Sequence, residues 1–273
     1  MARPALNKDT RLCISLAARP SNIGTRFHNY LYEQLGLDFI YKAFTTTDIT
    51  AAIGGVRALG IRGCSVSMPF KQDVLTLVDH VEKSARTINA VNTIVNDDGE
   101  LTAANTDYTA VQRLIAEYGL DPHAAVLIRG SGGMASAVAT AFRDSGFSEG
   151  TIVARNADSG LDLAERLGYE WRSEVGDLRA PVIVNVTPIG MADGPEEHEP
   201  AYGDEVIAAA HTVFDMVAVP SETPLIVAAR AAGKQVVTGA EVIALQAAEQ
   251  FERYTGVRPS AQQVAEASAF SRA

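Results

Sequence analysis

Gly130 and Gly132, with the small Ala135 three positions on, stand directly between the apolar run AAVLI and the helical run MASAVATAF. This is the G-x-G-x-x-G/A spacing at a βα turn. Its glycines let the backbone approach a pyrophosphate, and the helix behind it offers unpaired N–H groups and a favourable dipole. Gly130, Ser131, Gly132, Gly133 and Ala135 are therefore expected to bind a dinucleotide; the competing reading is a tight loop at Gly132 and Gly133 and nothing more. About 20 residues beyond such glycines, NAD-binding folds carry an acidic residue for the ribose 2′-OH. Here the sequence reads TIVARN instead. Arg155 holds that strand end, and a guanidinium suits a 2′-phosphate, so NADP is expected over NAD; the competing readings are a surface charge at a strand end and an inward-turned Asp158. Arg129, just ahead of the glycines, has two open readings: a phosphate contact or a reach to solvent.

Two other segments put polar residues where α/β sheets hold ligands, at the carboxyl ends of strands. In GCSVSMPFKQD, Gly63 to Asp73, a Pro-Phe-Lys corner ending at Lys71 follows directly on a strand-like run. In ANTDY, Asn105, Thr106 and Asp107 fall between a strand end and a helix start, where Thr106 or Asp107 would cap the helix. Taken alone, Lys71 reads as a surface lysine opening a helix and Asp107 as a cap. None of the five histidines pairs with a Cys, His or carboxylate at a recognised ligand spacing, so no metal is expected. Cys13 and Cys64 sit in apolar runs and read as small buried hydrophobes.

Short β-branched apolar runs alternate with stretches of helical period, which predicts an α/β protein built from βα units around mostly parallel sheet. Strands are expected at Leu12 to Leu16, Phe39 to Ala43, Gly63 to Val66 and Val91 to Val95, with helices at Gly24 to Leu35 and Asp48 to Leu59. NDDGE predicts a hairpin turn closing the first domain. A helix at Tyr108 to Tyr118 and a strand at Ala124 to Ile128 then open a second domain, continued by strands at Thr151 to Ala154, Val182 to Val186 and Thr212 to Met216. From Gly239 on, two helices without strands of their own are expected to pack back on the first domain.

The 273 residues suffice for two domains, and 47% hydrophobic with 21% charged residues describes a globular chain. A net charge of −10 argues against nucleic acid as a partner, because that affinity rests on clustered Lys and Arg. The start MARPALNKDT lacks the apolar core of a signal peptide, and no run reaches the roughly 20 apolar residues of a membrane span, so no membrane partner and a cytoplasmic location are expected. Monomer and homodimer stay open.

In order along the chain, SVSMPFK, INAVNTIV, ANTDY, the glycine loop, VIVNVTPIGM, MVAVPSETPL and GAEVIALQAA resemble the motifs of shikimate dehydrogenases, over nearly the whole length. SLAARPSNIGTRFHN, standing where that family has a serine-rich pocket segment, is similar to its divergent shikimate dehydrogenase-like branch. The resemblance implies an N-terminal α/β substrate-binding domain, residues 1–104 plus 239–273, and a Rossmann-type NADP-binding domain, residues 105–238. It implies an enzyme that reversibly reduces 3-dehydroshikimate to shikimate with NADPH. Lys71 and Asp107 match its catalytic residues, and Asn92 and Gln246 match residues that touch substrate. Asn185, Thr187 and Met216 match positions where that family contacts nicotinamide and ribose, beside the reading of strand-end residues that satisfy loop backbone; Gly239 either permits close approach at the nicotinamide end or merely starts the helix. Chemistry agrees with these types: as hydride leaves a carbinol carbon, a base must take the hydroxyl proton, and in reverse an ammonium returns it.

The pocket departs from the family pattern. Asn22 and Gly24 stand at the positions of two serines, Ala218 replaces a tyrosine, Ser65 an asparagine and Ser67 a threonine. Ser15, Ser21, Asn22, Thr25 and Arg26 are the candidate replacement donors. An inward Arg26 would grip a carboxylate; an outward one would leave the pocket to a different or less charged ligand. Two functions therefore stay open. One is a dehydrogenase of shikimate or a related cyclic hydroxy acid such as quinate; the other is a non-catalytic NADP(H)-binding regulatory protein.

Overall fold

A computed structural model describes residues 3–272. Met1, Ala2 and Ala273, the outermost positions of the expected first domain, lie outside the described residues. The chain divides into two compact units: residues up to Thr106 together with those from Ala244 on, and Asp107–Ile243 between them.

The first unit is built on β1 (Arg11–Ala17), α1 (Ile23–Leu35), β2 (Phe39–Thr45), α2 (Ile49–Ala58), β3 (Gly63–Val66), β4 (His80–Val81), α3 (Lys83–Ile88), β5 (Thr93–Asp97) and β6 (Glu100–Ala104). Its sheet runs β2-β1-β3-β5-β6-β4. Pairing is mostly parallel, as expected, with one exception in this sheet. β5 lies antiparallel to both β3 and β6, and it turns into β6 through a two-residue hairpin in which Asp98 and Gly99, with φ of +53° and +98°, reverse the chain. β1 is buried on both faces, as its nearly unbroken apolar run LCISLA requires. Asp48 caps α2 by accepting the Ala51 N–H at 2.9 Å. The outer edge of β2 is covered by side chains. Asn29 of α1 accepts the Tyr41 N–H and donates to the Tyr41 carbonyl, and Arg3 donates to the Phe39 carbonyl, so those groups are closed to another strand.

The second unit comprises α4 (Thr106–Glu117, entered at its first residue), β7 (Val126–Arg129), α5 (Gly133–Asp144), β8 (Gly150–Val153), α6 (Ala157–Leu167), β9 (Glu170–Arg172), β10 (Val182–Asn185), α7 (Asp204–Ala209), β11 (Thr212–Asp215), α8 (Pro224–Ala231) and β12 (Gln235–Thr238). All six strands pair in parallel, in the order β12-β11-β10-β7-β8-β9. That is the doubly wound order in which ligands bind where β7 and the strand beside it, β10, part company. Short β4, β9 and β12 and helices α3, α7 and α8 had no counterpart in the sequence reading, since two to eight residues carry too little periodicity to register.

α9 (Gly239–Thr255) and α10 (Ala261–Arg272) complete the chain. Thr238 and Glu241 form a reciprocal capping box at the start of α9. From Ala244 on, these helices belong to the first unit, as expected. Ala247, Ala248, Phe251 and Tyr254 of α9 and Ala267 of α10 share a core with Cys13, Phe27, Leu31, Tyr32 and Tyr41. Gly63 makes room for this packing, because a Cβ there would stand 2.3 Å from the Tyr254 ring. Among the described residues, no helix is long and apolar enough to cross a membrane, and no group of three His, Cys, Asp or Glu side chains is placed to hold a metal.

Candidate active site

In the second unit, Gly130 ends β7 with φ of +129°, and a Cβ there would stand 3.0 Å from the Val186 carbonyl oxygen just past β10. Only glycine turns comfortably at this switch point. Gly132 starts α5 without a side-chain cap, and a Cβ at Gly132 or Gly133 would meet nothing within 4 Å. An uncapped helix N-terminus opening on free space fits a pyrophosphate. Ala135 is fully buried, as the third small position of the motif requires. Ser131 Oγ lies 2.7 Å from Ser159 Oγ, joining the loop to the first turn of α6, and Asn156 caps that turn through the Ser159 N–H. Arg155 immediately precedes this cap. It is exposed and makes no hydrogen bond or ion pair among the described residues. Arg129 behaves differently: its guanidinium donates to the Ala201 carbonyl and braces the loop before α7, in place of either open reading.

At the other strand ends of this sheet, the side chains bind one another. Asn185 donates to Asp215 Oδ1 at 3.0 Å and to the Ile189 carbonyl, and its Oδ1 accepts the Thr187 hydroxyl at 2.6 Å. Asp215 also accepts the Val217 N–H and the Thr223 hydroxyl. Burial pushes the Asp215 carboxyl up to about 6, with those hydrogen bonds pulling the other way. Met216, half-buried, hangs its N–H on the Asn185 carbonyl at 2.9 Å. Gly239 is a steric necessity, since a Cβ there would stand 2.3 Å from the Val217 carbonyl oxygen.

In the first unit, the corner after β3 holds exposed Ser67 and half-buried Lys71. The Lys71 carbonyl accepts the Val91 N–H at 2.7 Å, and the Asn92 carbonyl accepts the Val66 N–H at 2.9 Å. These two bonds set Asn92 beside the corner. Asn92 is buried, and its Oδ1 accepts the Thr106 N–H at the start of α4 and the Thr93 hydroxyl, both at 2.8 Å. Its Nδ2 has no acceptor among the described residues. Asp107, also buried, is the next residue after Thr106. Gln246 lies half-buried on α9, and exposed Asn22 begins α1 without capping it.

Residues 22–94 match the family model described as shikimate dehydrogenase substrate binding domain. A shikimate dehydrogenase-like protein of Haemophilus influenzae is 55% identical over 98% of both chains. The chain belongs to the shikimate dehydrogenase family. A shikimate dehydrogenase (NADP(+)) of Rubrobacter xylanophilus is 35% identical over 95% of both chains. Among solved structures, a Thermus thermophilus shikimate 5-dehydrogenase in complex with NADP(H) and shikimate is 27% identical. It matches with a TM-score of 0.85 over 96% of this chain and 99% of its own.

Within this family, the departures at the pocket gain structural meaning. Arg26 points outward, its guanidinium 5.7 Å from the centre of the Phe270 ring on α10, so the outward alternative holds. Ser65 has three protein partners, the hydroxyls of Tyr41 at 2.8 Å and Tyr254 at 3.0 Å and Gln250 Oε1 at 3.0 Å. A ligand finds no spare hydrogen there. Gln250, Tyr41 and Tyr254 went unnoticed in the sequence. The available signal was a buried glutamine four residues after Gln246, on the α9 face otherwise made of Ala247, Phe251 and Tyr254.

Proposed function

We propose that this chain is an NADP(H)-dependent oxidoreductase of a cyclic hydroxy acid, with reversible reduction of 3-dehydroshikimate to shikimate as its first candidate reaction. The observation that carries the reading is Asn92, a buried amide donor beside the Lys71 corner without an acceptor among the described residues. Burying such a donor unpaired costs about 1–3 kcal/mol, a cost that a ligand oxygen removes. In this reading, residues 105–238 bind the dinucleotide and residues 1–104 plus 239–273 the substrate.

Bound NADP(H) supplies or accepts the hydride. The α5 N-terminus at Gly132 and Gly133 takes the pyrophosphate, and Arg155 takes the 2′-phosphate. Met216 and Gly239 border the nicotinamide, while Asn185 and Thr187, whose side chains hold their own loop, act there through the loop's backbone. Lys71, as ammonium, gives its Nζ proton to the carbonyl oxygen as hydride arrives, and in the reverse direction the amine takes the hydroxyl proton. Asp107 orients the lysine and accepts a hydrogen bond from a substrate hydroxyl. Asn92 Nδ2, Gln246 and Ser67 fix the other substrate oxygens.

A second reading, a related acid such as quinate or a less charged ligand, is favoured by the pocket's donors. Asn22, Gly24 and Ala218 remove three hydroxyls from the family pattern, and Arg26 does not turn inward to replace them. The test is NADP+ reduction over shikimate, quinate and related hydroxy acids. A specificity constant of about 10⁴ M⁻¹s⁻¹ or more identifies the natural substrate class. Tight NADPH binding with negligible turnover of every acid would instead mark a regulatory protein.

A further inference from the structure

The first unit contains a chain of hydrogen bonds whose directions are fixed. Gln250 is buried, and its amide spans Ser65 on one side and Asn92 and Thr93 on the other. The Asn92 backbone carbonyl can only accept, so the Gln250 nitrogen must face it, at 3.2 Å. Gln250 Oε1 therefore faces Ser65, and the single Ser65 hydrogen goes to it. With that hydrogen committed, the Tyr41 and Tyr254 hydroxyls both donate to Ser65. On the far side, the second Nε2 hydrogen of Gln250 goes to Thr93 Oγ1 at 2.9 Å, which leaves the Thr93 hydrogen for Asn92 Oδ1 at 2.8 Å. The Thr106 N–H, a donor only, points at the same Oδ1. A flipped Asn92 would set its NH₂ against the Thr106 N–H, and the Thr93 hydroxyl would have to turn its hydrogen to the farther Thr106 Oγ1 at 3.3 Å.

We infer that Gln250 is a positioning residue that locks the Asn92 carboxamide, so that Asn92 offers a ligand hydrogen-bond donors and never an acceptor. The inference rests on the reading of Asn92 as a substrate contact. It adds a selection rule: the substrate group meeting Asn92 is an oxygen presenting a lone pair, and an analogue lacking that oxygen leaves the buried donor unpaired. A connected buried relay specifies one geometry more strongly than its separate bonds would.

The test compares Gln250→Met, Gln250→Glu and the near-isosteric Thr93→Val, with thermal melts in parallel. Gln250→Met and Thr93→Val are expected to raise KM for the hydroxy acid by about tenfold or more while KM for NADP+ stays put. Gln250→Glu is expected to behave likewise at neutral pH, because an ionised carboxylate cannot donate to Asn92 or Thr93. Its KM recovers as pH falls and the carboxyl regains a hydrogen, whereas that of Gln250→Met does not. Unchanged KM values, or a loss in Gln250→Glu that ignores pH, would overturn the positioning role.

A second readout needs no turnover. The side-chain amide NMR signals of Asn92, assigned by their loss in Asn92→Asp, are expected to shift or broaden in Gln250→Met and Thr93→Val. Signals that stay in place overturn this inference whatever the enzyme does. An inactive wild-type protein whose Asn92 signals respond overturns only the proposed reaction.

Discussion

Replacing Arg155 by alanine separates the choice of dinucleotide from everything else in the molecule. In this structure Arg155 touches nothing that holds the fold, so the melting temperature without cofactor should stay within the roughly ±0.5 kcal/mol of an ordinary surface substitution. Against a 2′-phosphate, a guanidinium makes charge-assisted hydrogen bonds of about 1.5–3 kcal/mol each. The side chain is exposed, so water and salt compete, and a bidentate contact retains about 1.5–3 kcal/mol in all. NADP(H) affinity should then fall roughly 10- to 150-fold, at about 1.4 kcal/mol per factor of ten, while NAD(H) affinity changes less than about twofold. Fluorescence titration with NADPH and NADH measures both constants without a substrate. Repeating it from low to high salt should shrink the wild-type preference for NADPH and leave the variant flat. Equal losses for the two dinucleotides, or none for NADPH, would refute the role of Arg155.

Further expectations follow from single residues. Gly239→Ala sets a Cβ 2.3 Å from the Val217 carbonyl oxygen and should cost at least about 1–3 kcal/mol in urea melts, whereas Gly132→Ala, with nothing within 4 Å, should melt like wild type yet bind NADPH more weakly. Lys71→Met should lower turnover by orders of magnitude with NADPH affinity retained; preserved turnover refutes the proton-transfer role. Burial brings His28 down from 6.5 to about 3, so between those values the unfolded chain binds a proton that the folded one does not. Its contribution to stability is present above about 6.5 and is lost toward 3 at up to about 1.4 kcal/mol per pH unit. Asp215, raised from 3.8 to about 6, slopes the opposite way between those values, which is why the check compares wild type with His28→Phe at pH 7 and pH 4. A stability difference that ignores pH sinks the argument for a neutral buried imidazole.

What the sequence made legible has a physical pattern. β1, β2, β3 and the βα turn at Gly130 were readable because short, largely apolar runs between helical stretches mark strands of a buried sheet and because the turn needs its glycines. The antiparallel placing of β5 was half visible, since Asp98-Gly99 announces the hairpin to β6, but nothing local announces the pairing with β3. Lys71 and Asn92 drew notice through motif order. That they adjoin rests on the Lys71 carbonyl meeting the Val91 N–H, a long-range backbone bond that leaves no trace in composition. The hydrogen-bond chain through Gln250 was invisible for a related reason: Tyr41, Ser65, Thr93 and Gln250 come from four separate elements, and each alone reads as an ordinary core or strand residue.

The pocket substitutions look different once hydrogens are assigned. Gly24 lies close to Tyr41, since a Cβ there would stand 3.6 Å from the Tyr41 hydroxyl oxygen, in ordinary contact. A tyrosine hydroxyl beside a missing serine invites the idea that Tyr41 supplies the lost donor. It does not, because its hydrogen goes to Ser65, which in turn must serve Gln250. Arg26 is likewise turned toward Phe270. Among the described residues, the neutral donors still open on this unit include Asn92 Nδ2, the Thr25 hydroxyl, the Ser67 hydroxyl and the Gln246 amide, with Asn22 exposed at the start of α1. Neutral donors of this kind repay the desolvation of hydroxyls and carbonyls well and that of a carboxylate poorly. If the pocket is judged by what it can hold, the ring oxygens of the substrate should contribute more to affinity than its acid group. Comparing KM for a hydroxy acid with KM for its methyl ester measures that directly. A rise well beyond tenfold on esterification would mean that a carboxylate site exists which these side chains do not provide.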